Sequence, residues 1–215
     1  MTESAHDAAL RIARGGKLAG VFASLRDRGA QGVSPLAKSV GLSRPTVTSL
    51  LAELADAGLV TVDDEAISKG GRPASRYRFN AGAAHALAVD FLRNSLAIAI
   101  CSLDGTIVHA SAQPAPFTEG AEERFRFLVA AVDDALDSVG LSRGSLRAAT
   151  VATTGTMDAS GTIQRSFWVP AWEGFELGDR LRAEWPFAVR VENDVNCAAF
   201  GELALRPTLP TRDLL

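Results

Sequence analysis

The amino-acid sequence predicts two parts of different fold class: an all-α, winged helix-turn-helix domain over residues 1–80 and, after a short linker at residues 81–84, an α/β lobe over residues 85–215. Three observations support this division. Apolar residues recur at helical spacing as far as Gly58, and an alternating segment with a glycine-rich tip follows. Beyond residue 84, three strand-like segments precede alternating helices and strands, which is typical of a sheet with mixed strand order.

The first two predicted helices each carry an apolar stripe. The first ends near Arg28-Gly29, and its stripe consists of Leu18, Val21, Phe22 and Leu25. The second contributes Leu36, Ala37 and Val40 and stops at a tight turn at Gly41. Together with the next helix, these two helices predict a core that is small for independent stability. We therefore expect this domain to pack against the following domain or against a second copy of itself.

The third predicted helix has the features of a DNA recognition helix. Ser43 is placed to cap it, Pro45 lies near its first positions, and Gly58 ends it in the left-handed conformation. One face is apolar (Val47, Leu50, Leu51 and Leu54), whereas the opposite face is short and polar enough to enter a DNA major groove. The residues predicted to contact DNA here are Ser34, Ser43, Arg44, Pro45, Thr46, Thr48 and Ser49, with Ala52 on the same face. The alternative is a three-helix bundle without DNA contact.

The segment after Gly58 alternates like two short strands around a turn, as in the wing of a winged helix. Two glycines beside an arginine at its tip let the backbone approach phosphate while the guanidinium reaches a minor groove or pairs with phosphate. The tip residues predicted to contact DNA are Lys69, Gly70, Gly71 and Arg72. Taken alone, such a tip is equally well a solvent-exposed hairpin turn.

Composition and charge narrow the class of protein. The hydrophobic fraction of 47% and the charged fraction of 22% are typical of soluble globular proteins. The formal net charge is +3 over residues 1–80 and −6 over residues 81–215, which gives −3 for the chain, so a mildly basic front precedes an acidic body. No apolar run approaches a membrane span and the first residues lack a secretory core, so we expect a cytoplasmic protein. Cys101 and Cys197 have no Cys or His at metal-ligand spacing and are expected to be reduced and buried.

The lobe beyond residue 84 begins with three strand-like segments, and an Asp104-Gly105 turn joins the second to the third. A long helix follows, with a predicted cap at Thr118-Glu119 and an apolar face formed by Phe125, Leu128, Val129, Val132, Leu136 and Val139. The order then runs through the strand RAATVATTG, a turn at Ser160-Gly161-Thr162, the helix FELGDRLRAEW, the strand FAVRVEND and the helix NCAAFGELALR.

This order of motifs resembles the ROK family, whose members are sugar-responsive transcriptional repressors and sugar kinases. The resemblance covers nearly the whole chain. Its most specific parts are Gly70-Gly71-Arg72-Pro73, typical of the repressor branch, and Glu192-Asn193-Asp194-Val195-Asn196 followed by Ala198, Ala199, Gly201 and Glu202, typical of both branches. The resemblance implies a ribonuclease-H-like, actin-like fold with two lobes and a sugar between them.

Asn193 and Asp194 are the predicted sugar-binding residues. They lie where a strand ends and a helix begins, which is where open α/β sheets bind ligands. The resemblance implies that in the kinases this aspartate is the general base for a sugar hydroxyl, and that in the repressors the pair hydrogen-bonds the sugar. The alternative, that Asp194 caps the following helix, does not exclude binding.

Three departures from the family pattern argue against phosphate transfer. Residues 90–95 contain no glycine where the kinases carry a glycine-rich phosphate loop, and we expect the bulky Phe91 and Leu92 to block the close approach of a phosphate. In the sugar-contacting run at residues 168–172, Trp172 matches but Trp168 replaces an asparagine and either stacks on a sugar or packs in the core. The chain ends where the family begins its second lobe, so we expect a fragment of a longer protein or a truncated product. Because the family's zinc motif would lie in that lobe, no metal or cofactor is expected in this chain.

The sequence therefore predicts a sugar-responsive transcriptional repressor without catalytic residues or membrane contact. We expect it to bind double-stranded operator DNA as a homodimer and to take a sugar or sugar phosphate as effector. The second hypothesis is a ROK sugar kinase with a fused DNA-binding module. The third is a DNA-binding protein whose lobe serves only for contact with partners.

Overall fold

The structure of the chain is a computed structural model that describes residues 15–63, 75–116 and 120–205. The chain divides into two compact units with a boundary between Ala83 and Ala84. The predicted linker at residues 81–84 holds a short 3-10 turn, Ala81–Ala83. Within the described ranges, no helix has both the length and the apolar character needed to cross a bilayer.

Three helices and a small sheet form the first unit. Its elements are α1 (Lys17–Arg28), β1 (Gln31–Gly32), α2 (Val33–Val40), α3 (Arg44–Asp56), β2 (Val60–Asp63) and β3 (Arg76–Phe79). β3 is the central strand and runs antiparallel to both β1 and β2. The three predicted helices and the two wing strands are confirmed. β1 was not predicted, because two residues carry no periodic signal.

The apolar stripes of the three helices meet in one core. Its most buried side chains are Leu18, Val21, Leu25, Leu36, Val47, Leu51 and Leu54. Phe22 packs edge-on against Phe79, with 5.1 Å between ring centroids, which joins α1 to the wing sheet. The stripes predicted from residue spacing are therefore confirmed, although Phe22, Val40 and Leu50 are only partly buried.

Glycines end α2 and α3 at the positions that the sequence predicts. Gly41 and Gly58 have φ angles of 68° and 73°, in the left-handed region that side chains with a Cβ avoid. After α3, the Leu59 N–H donates to the Leu54 carbonyl and the Gly58 N–H donates to the Ala55 carbonyl, both at 2.9 Å. This pair of bonds is a Schellman motif, and it satisfies two carbonyls that the helix end leaves open.

A five-stranded sheet organises the second unit. The elements are β4 (His85–Phe91), β5 (Ser95–Ser102), β6 (Ile107–Pro114), α4 (Ala121–Ser138), β7 (Leu146–Thr153), β8 (Thr156–Met157), β9 (Ile163–Arg165), α5 (Leu177–Glu184), β10 (Ala188–Asn193) and α6 (Asp194–Leu205). The strand order is β10-β7-β4-β5-β6. β4 pairs parallel with β7 and antiparallel with β5, so the predicted mixed sheet is confirmed.

The two faces of this sheet differ in chemistry. Along β4, Leu87, Val89 and Phe91 are buried, whereas the alternate residues are exposed. The buried face forms the core with side chains of α4 and α5, among them Leu128 and Leu181. The opposite face is lined by short side chains: Ala88, Ala97, Ala99, Ala110 and Ala152. None of the residues of α6 is buried.

Both predicted tight turns of the second unit are present. At the first, Gly105 has a φ of 84°, and Asp104 Oδ1 accepts hydrogen bonds from the Ser102 hydroxyl and the Thr106 N–H. At the second, Gly161 has a φ of 82° and joins β8 to β9. A Cβ on Gly161 would lie 3.0 Å from the Gly178 Cα, so this turn requires glycine for space as well as for conformation.

The start of α4 differs from the prediction. The predicted cap, Thr118-Glu119, lies outside the described residues, and Gly120 occupies the N-cap position without a side-chain hydrogen bond. Two carboxylates in the first turn, Glu122 and Glu123, place negative charge at the positive end of the helix dipole instead.

Candidate functional site

The outward face of α3 is composed of short side chains and one arginine. Arg44, Pro45, Thr48, Ser49 and Ala52 are exposed, as the recognition-helix hypothesis requires. On the inward face Val47, Leu51 and Leu54 are completely buried, which fixes the rotation of the helix about its axis. Ser34, in the first turn of α2, is exposed as well.

The hydroxyl groups at the start of α3 are already engaged within the helix. Ser43 Oγ accepts the Thr46 N–H at 3.3 Å and lies 2.8 Å from Thr46 Oγ1, which confirms the predicted cap. The Thr48 hydroxyl donates to the Arg44 carbonyl at 3.0 Å. Among the residues that the structure describes, the Arg44 guanidinium makes no hydrogen bond or ion pair. Arg44 is therefore the group on this face best able to reach a base edge or a phosphate.

The wing is described up to the base of its tip. β2 and β3 pair in antiparallel register, from Val60 opposite Phe79 to Asp63 opposite Arg76. The tip residues that we predicted to contact DNA, Lys69, Gly70, Gly71 and Arg72, lie outside the described residues.

The second candidate surface is the carboxyl edge of the parallel strands β4, β7 and β10. Asn193 ends β10, and its Nδ2 donates to the Gly155 carbonyl at 2.9 Å. Its Oδ1 accepts the N–H groups of Val195 and Asn196 at 2.9 and 3.2 Å. Asn193 is thus the residue that caps α6, and it also ties the start of this helix to the segment after β7.

Asp194 is less engaged than Asn193. Its Oδ1 accepts only the N–H of the next residue, Val195, at 3.0 Å. The alternative that Asp194 is the main cap of α6 is therefore wrong, because Asn193 accepts the N–H groups that a cap residue binds. The Asp194 carboxylate keeps its capacity to accept hydrogen bonds from a ligand.

Asp90 and Asp194 line the same open cleft, which has a volume of about 470 Å³ and lies over the alanine-rich face of the sheet. Partial burial and then the charge of Asp194 raise the pKa of Asp90. Carboxyl oxygen atoms that line a cleft can accept hydrogen bonds from the hydroxyl groups of a ligand. Cys197 lies in the same cleft, and burial raises the pKa of its thiol, so it is protonated at neutral pH.

Glu192 precedes Asn193 in β10 and stabilises the same edge of the sheet through hydrogen bonds. Its Oε1 accepts the side-chain amide of Asn196 at 3.0 Å and the Asn193 N–H at 2.9 Å, and its Oε2 pairs with Arg190 at 2.6 Å. These bonds lower the pKa of Glu192 to about 2. The hydrogen bond from Asn196 is the largest cause, followed by those from Asn193 and Arg190. The Glu192 carboxylate is therefore bound by groups of the protein itself, and its role is structural.

The turn between β4 and β5 is held from the inside by a buried arginine that the sequence interpretation missed. Arg124 of α4 is completely buried and donates to the carbonyls of Leu92 at 2.8 Å, Arg93 at 3.0 Å and Pro116. Its guanidinium carbon lies 4.4 Å from the centre of the Phe91 ring. The sequence signal was available, since Arg124 precedes Leu128 by four residues and so lies on the buried face of α4.

Phe91 itself does not stand in the way of a phosphate, contrary to our expectation. Its ring is completely buried in the core, and its carbonyl accepts the Thr153 hydroxyl at 2.8 Å. This turn differs from a phosphate-binding loop in that Arg124 donates hydrogen bonds to the carbonyls of Leu92 and Arg93.

The two tryptophans of the predicted sugar-contacting run have opposite environments. Trp172 is 0% exposed and packs against Phe91 and Phe175 with ring centroids 5.6 and 5.4 Å apart. Trp172, which matches the family pattern, is a core residue, and its side chain has no surface open to a ligand. Trp168, in contrast, is 57% exposed.

No described group of His, Cys, Asp and Glu side chains has an arrangement that could hold a metal ion. The candidate sites therefore rest on two sets of residues. The first is the outer face of α3, and the second is the carboxyl edge with Asn193, Asp194, Asp90 and the loop around Trp168.

The two family models that match the chain each fall within one of its two units. A model described as the ROK family matches residues 86–214, and one described as the MarR family matches residues 21–64. A curated relative, the uncharacterized protein y4fQ of Sinorhizobium fredii (strain NBRC 101917 / NGR234), is 29% identical over 174 residues, which cover 78% of this chain and 43% of the relative.

Comparison with solved structures gives the same picture of the fold. The crystal structure of a ROK family transcriptional regulator, a homologue of the E. coli MLC protein, matches with a TM-score of 0.62 and 21% identity over 87% of this chain and 47% of that one. A ROK family glucokinase from Streptomyces griseus in complex with glucose and AMPPNP matches with a TM-score of 0.48 and 25% identity over 55% of this chain and 36% of that one. This chain spans less than half the length of each of these proteins. The fold class predicted from the sequence is confirmed.

Proposed function

This chain belongs to the ROK family, and on that premise we propose that it is a transcriptional regulator that binds operator DNA through α3 and the wing and responds to a sugar effector. The observation that carries the proposal is the outer face of α3. That face presents Arg44 and side chains no larger than threonine or proline, on a helix whose rotation is fixed by Val47, Leu51 and Leu54. A helix of this kind fits a major groove without steric obstruction.

The effector belongs to the second unit in this proposal. Asp194 and Asp90 offer hydrogen-bonding oxygen atoms at the carboxyl edge, where open α/β sheets bind small molecules. Sugar hydroxyls can donate hydrogen bonds to these carboxyl oxygen atoms. The chain acts as a cytoplasmic repressor and binds as a homodimer, and the effector shifts the population of arrangements of the two recognition helices.

The test is footprinting of DNA upstream of the chain's own gene and its chromosomal neighbours, with and without a panel of sugars. We expect protection of one inverted-repeat site and its release by one sugar of the panel. The absence of a protected site would reject the regulator. Protection that no sugar and no sugar phosphate changes would reject the effector and leave DNA binding in place.

We further propose that the chain does not transfer phosphate, although solved ROK structures include a glucokinase. Phosphate loops present free backbone N–H groups to the nucleotide. In the β4–β5 turn the Leu92 N–H instead donates to the Ser95 carbonyl at 3.0 Å, while Arg124 binds the carbonyls of Leu92 and Arg93. Transfer of the ATP γ-phosphate to a hexose in a coupled assay would favour the kinase hypothesis over ours.

A further inference from the structure

We propose that Trp168 is an aromatic platform on which the ring of a pyranose effector stacks, in the place where the family pattern has a hydrogen-bonding asparagine. The proposal rests on the proposed function, and it specifies how that function selects its ligand. It makes the effector a cyclic sugar with C–H groups on one ring face and hydroxyl groups at its edge.

The loop that carries Trp168 is clamped on both sides. Ser166 and Val169 are buried, whereas Phe167 and Trp168 between them are 85% and 57% exposed. The Ser166 Oγ donates to the Thr154 carbonyl at 3.3 Å and accepts the Val169 N–H at 3.2 Å, and the Ser166 N–H donates to Glu173 Oε1 at 3.1 Å. The backbone therefore has little freedom to fold the two rings into the core.

The two exposed rings hold each other in place. Phe167 and Trp168 meet edge to face, with centroids 5.3 Å apart and planes at 87°. This geometry is a favourable one for aromatic pairs. Phe167 therefore supports Trp168 from the side and leaves indole surface open to a ligand, at a low cost in side-chain entropy on binding.

The loop belongs to the same edge as the predicted sugar-binding residues. Gly155 lies against Arg165 and Ser166 so closely that a Cβ on it would be 2.4 Å from the Arg165 carbonyl oxygen. The carbonyl of the same Gly155 accepts the side-chain amide of Asn193. One glycine thus connects the aromatic loop to the start of α6, where Asp194 lies.

The chemistry of the neighbourhood favours a sugar over an apolar ligand. Ligand sites combine aromatic surface with a few placed polar groups. Beside the aromatic pair, Glu173 uses one carboxylate oxygen for the Ser166 N–H, and its Oε2 accepts no hydrogen bond from any described residue. A pyranose matches this combination, since its C–H face stacks on indole while its hydroxyls bond to carboxylates.

Fluorescence isolates this residue, because the chain has three tryptophans and the other two, Trp172 and Trp185, are 0% and 2% exposed. We would titrate the chain with D-glucose, D-galactose, D-xylose, N-acetyl-D-glucosamine and their phosphates, using calorimetry for affinity and acrylamide quenching for access to Trp168. D-Mannitol and D-sorbitol are the controls, because they have hydroxyl groups but no ring face. The variants are Trp168→Ala, Trp168→Phe and, as a matched change outside the loop, Phe200→Ala, which removes another exposed ring.

We expect one pyranose to protect Trp168 from acrylamide and the acyclic polyols to leave it accessible. Trp168→Ala should weaken that pyranose about tenfold, whereas Trp168→Phe should retain affinity within about threefold because it keeps an aromatic face. Phe200→Ala should bind the sugar like the wild type, and all variants should bind operator DNA equally well without sugar.

Three results would overturn the platform. If a pyranose binds but Trp168 stays accessible and Trp168→Ala keeps its affinity, the effector lies elsewhere and the proposed function stands. If no sugar of the panel binds, the effector part of the proposed function fails together with the platform. If Trp168→Ala changes sedimentation of the protein and leaves sugar affinity intact, the exposed rings are a contact between protein molecules.

Discussion

Two helices of this protein start on a side-chain oxygen that accepts backbone N–H groups. Ser43 does so for α3 and Asn193 does so for α6. Each cap also fixes the direction in which a candidate binding residue leaves the helix: Arg44 directly follows Ser43, and Asp194 directly follows Asn193. Single residues thus connect the stability of a helix to the position of a site.

Replacement of the α3 cap should destabilise the first unit. Loss of the Ser43 hydroxyl leaves the Thr46 N–H without its acceptor, so Ser43→Ala should cost about 1 kcal/mol and lower the melting temperature by about 4 °C. Ser43→Asp should retain the stability of the wild type, since aspartate is an equally good cap. Circular dichroism melting measures this, with Ser34→Ala, an exposed serine in the first turn of α2, as the control. Equal melting of Ser43→Ala and wild type would mean that the cap contributes nothing.

Arg44 should matter for DNA and not for folding. Its side chain is exposed and has no partner among the described residues, so Arg44→Ala should leave the melting temperature unchanged. If Arg44 reads a base, operator affinity should fall by about 1–3 kcal/mol, and specificity at one position should relax. Gel shifts at several salt concentrations measure both, and Arg126→Ala, which removes an exposed arginine from the second unit, controls for charge. Unchanged operator affinity would mean that Arg44 does not contact DNA.

Glu192 should make the second unit sensitive to acid. Its pKa in the folded protein is lowered to about 2, below the ordinary value of 4.5, so the carboxylate stabilises the fold above about pH 4.5 and that contribution is lost as the pH falls toward 2. Glu192→Gln should therefore flatten the dependence of the free energy of unfolding on pH between 2 and 4.5, measured by urea unfolding. Asn196→Ala, which removes the main donor to this carboxylate, should flatten it partly. An unchanged slope in both variants would contradict this network.

Residue-level roles are where the sequence was least informative. Asn193 and Asp194 are neighbours with similar capping preferences, and only the geometry shows that Asn193 is the cap. Likewise, Trp168 and Trp172 lie in one short run, but one is exposed and the other is buried. Local sequence does not encode which of two similar side chains turns inward when tertiary packing decides it.

At the scale of secondary-structure elements, the spacing of apolar residues and turn glycines was sufficient to predict most of the helices and strands. All three helices of the first unit and the helices and main strands of the second were predicted, because each carries its own apolar pattern or turn glycine. The contacts that fix one element against another were not predicted. Arg124 is the main example, since two of its three carbonyl partners lie in a turn about thirty residues earlier, and a backbone carbonyl has no side-chain identity to recognise.

Arg124 should be a strong determinant of the second unit's stability. Burial lowers the pKa of its guanidinium to about 10, so it is charged at neutral pH and depends on three carbonyls and the Phe91 ring for compensation. Arg124→Ala leaves these carbonyls without donors and opens a cavity, and should cost about 3 kcal/mol or more. Arg124→Met, which keeps most of the volume, should cost less.

Urea unfolding followed by tryptophan fluorescence measures both Arg124 variants. Hydrogen exchange at the Leu92 N–H, which donates to the Ser95 carbonyl, should accelerate in each of them, because the turn has lost its inner support. If Arg124→Ala and Arg124→Met are equally stable, packing volume is not part of the effect. If both match the wild type, the buried guanidinium contributes nothing to stability.

At the scale of the whole molecule, the chain consists of two compact units with separate cores. The sequence predicted a small core for the first unit, and all three tryptophans belong to the second. Tryptophan fluorescence therefore reports on the second unit alone, which allows the two cores to be perturbed and observed separately.

We expect Leu51→Ala to destabilise the first unit by about 2–5 kcal/mol and to abolish DNA binding at elevated temperature, because Leu51 is completely buried. The tryptophan signal should unfold as in the wild type. Leu128→Ala is the matched change in the second core and should give the reverse result, with an early fluorescence transition. An early fluorescence transition in Leu51→Ala would show that the units unfold as one.

The loop with its two anchored flanks has an evolutionary consequence. Ser166 and Val169 hold the main chain whatever side chains stand between them, so codons 167 and 168 can change without endangering the scaffold. If Trp168 contacts the effector as we propose, substitutions at residues 167 and 168 can change which compound is bound while the anchored main chain is retained.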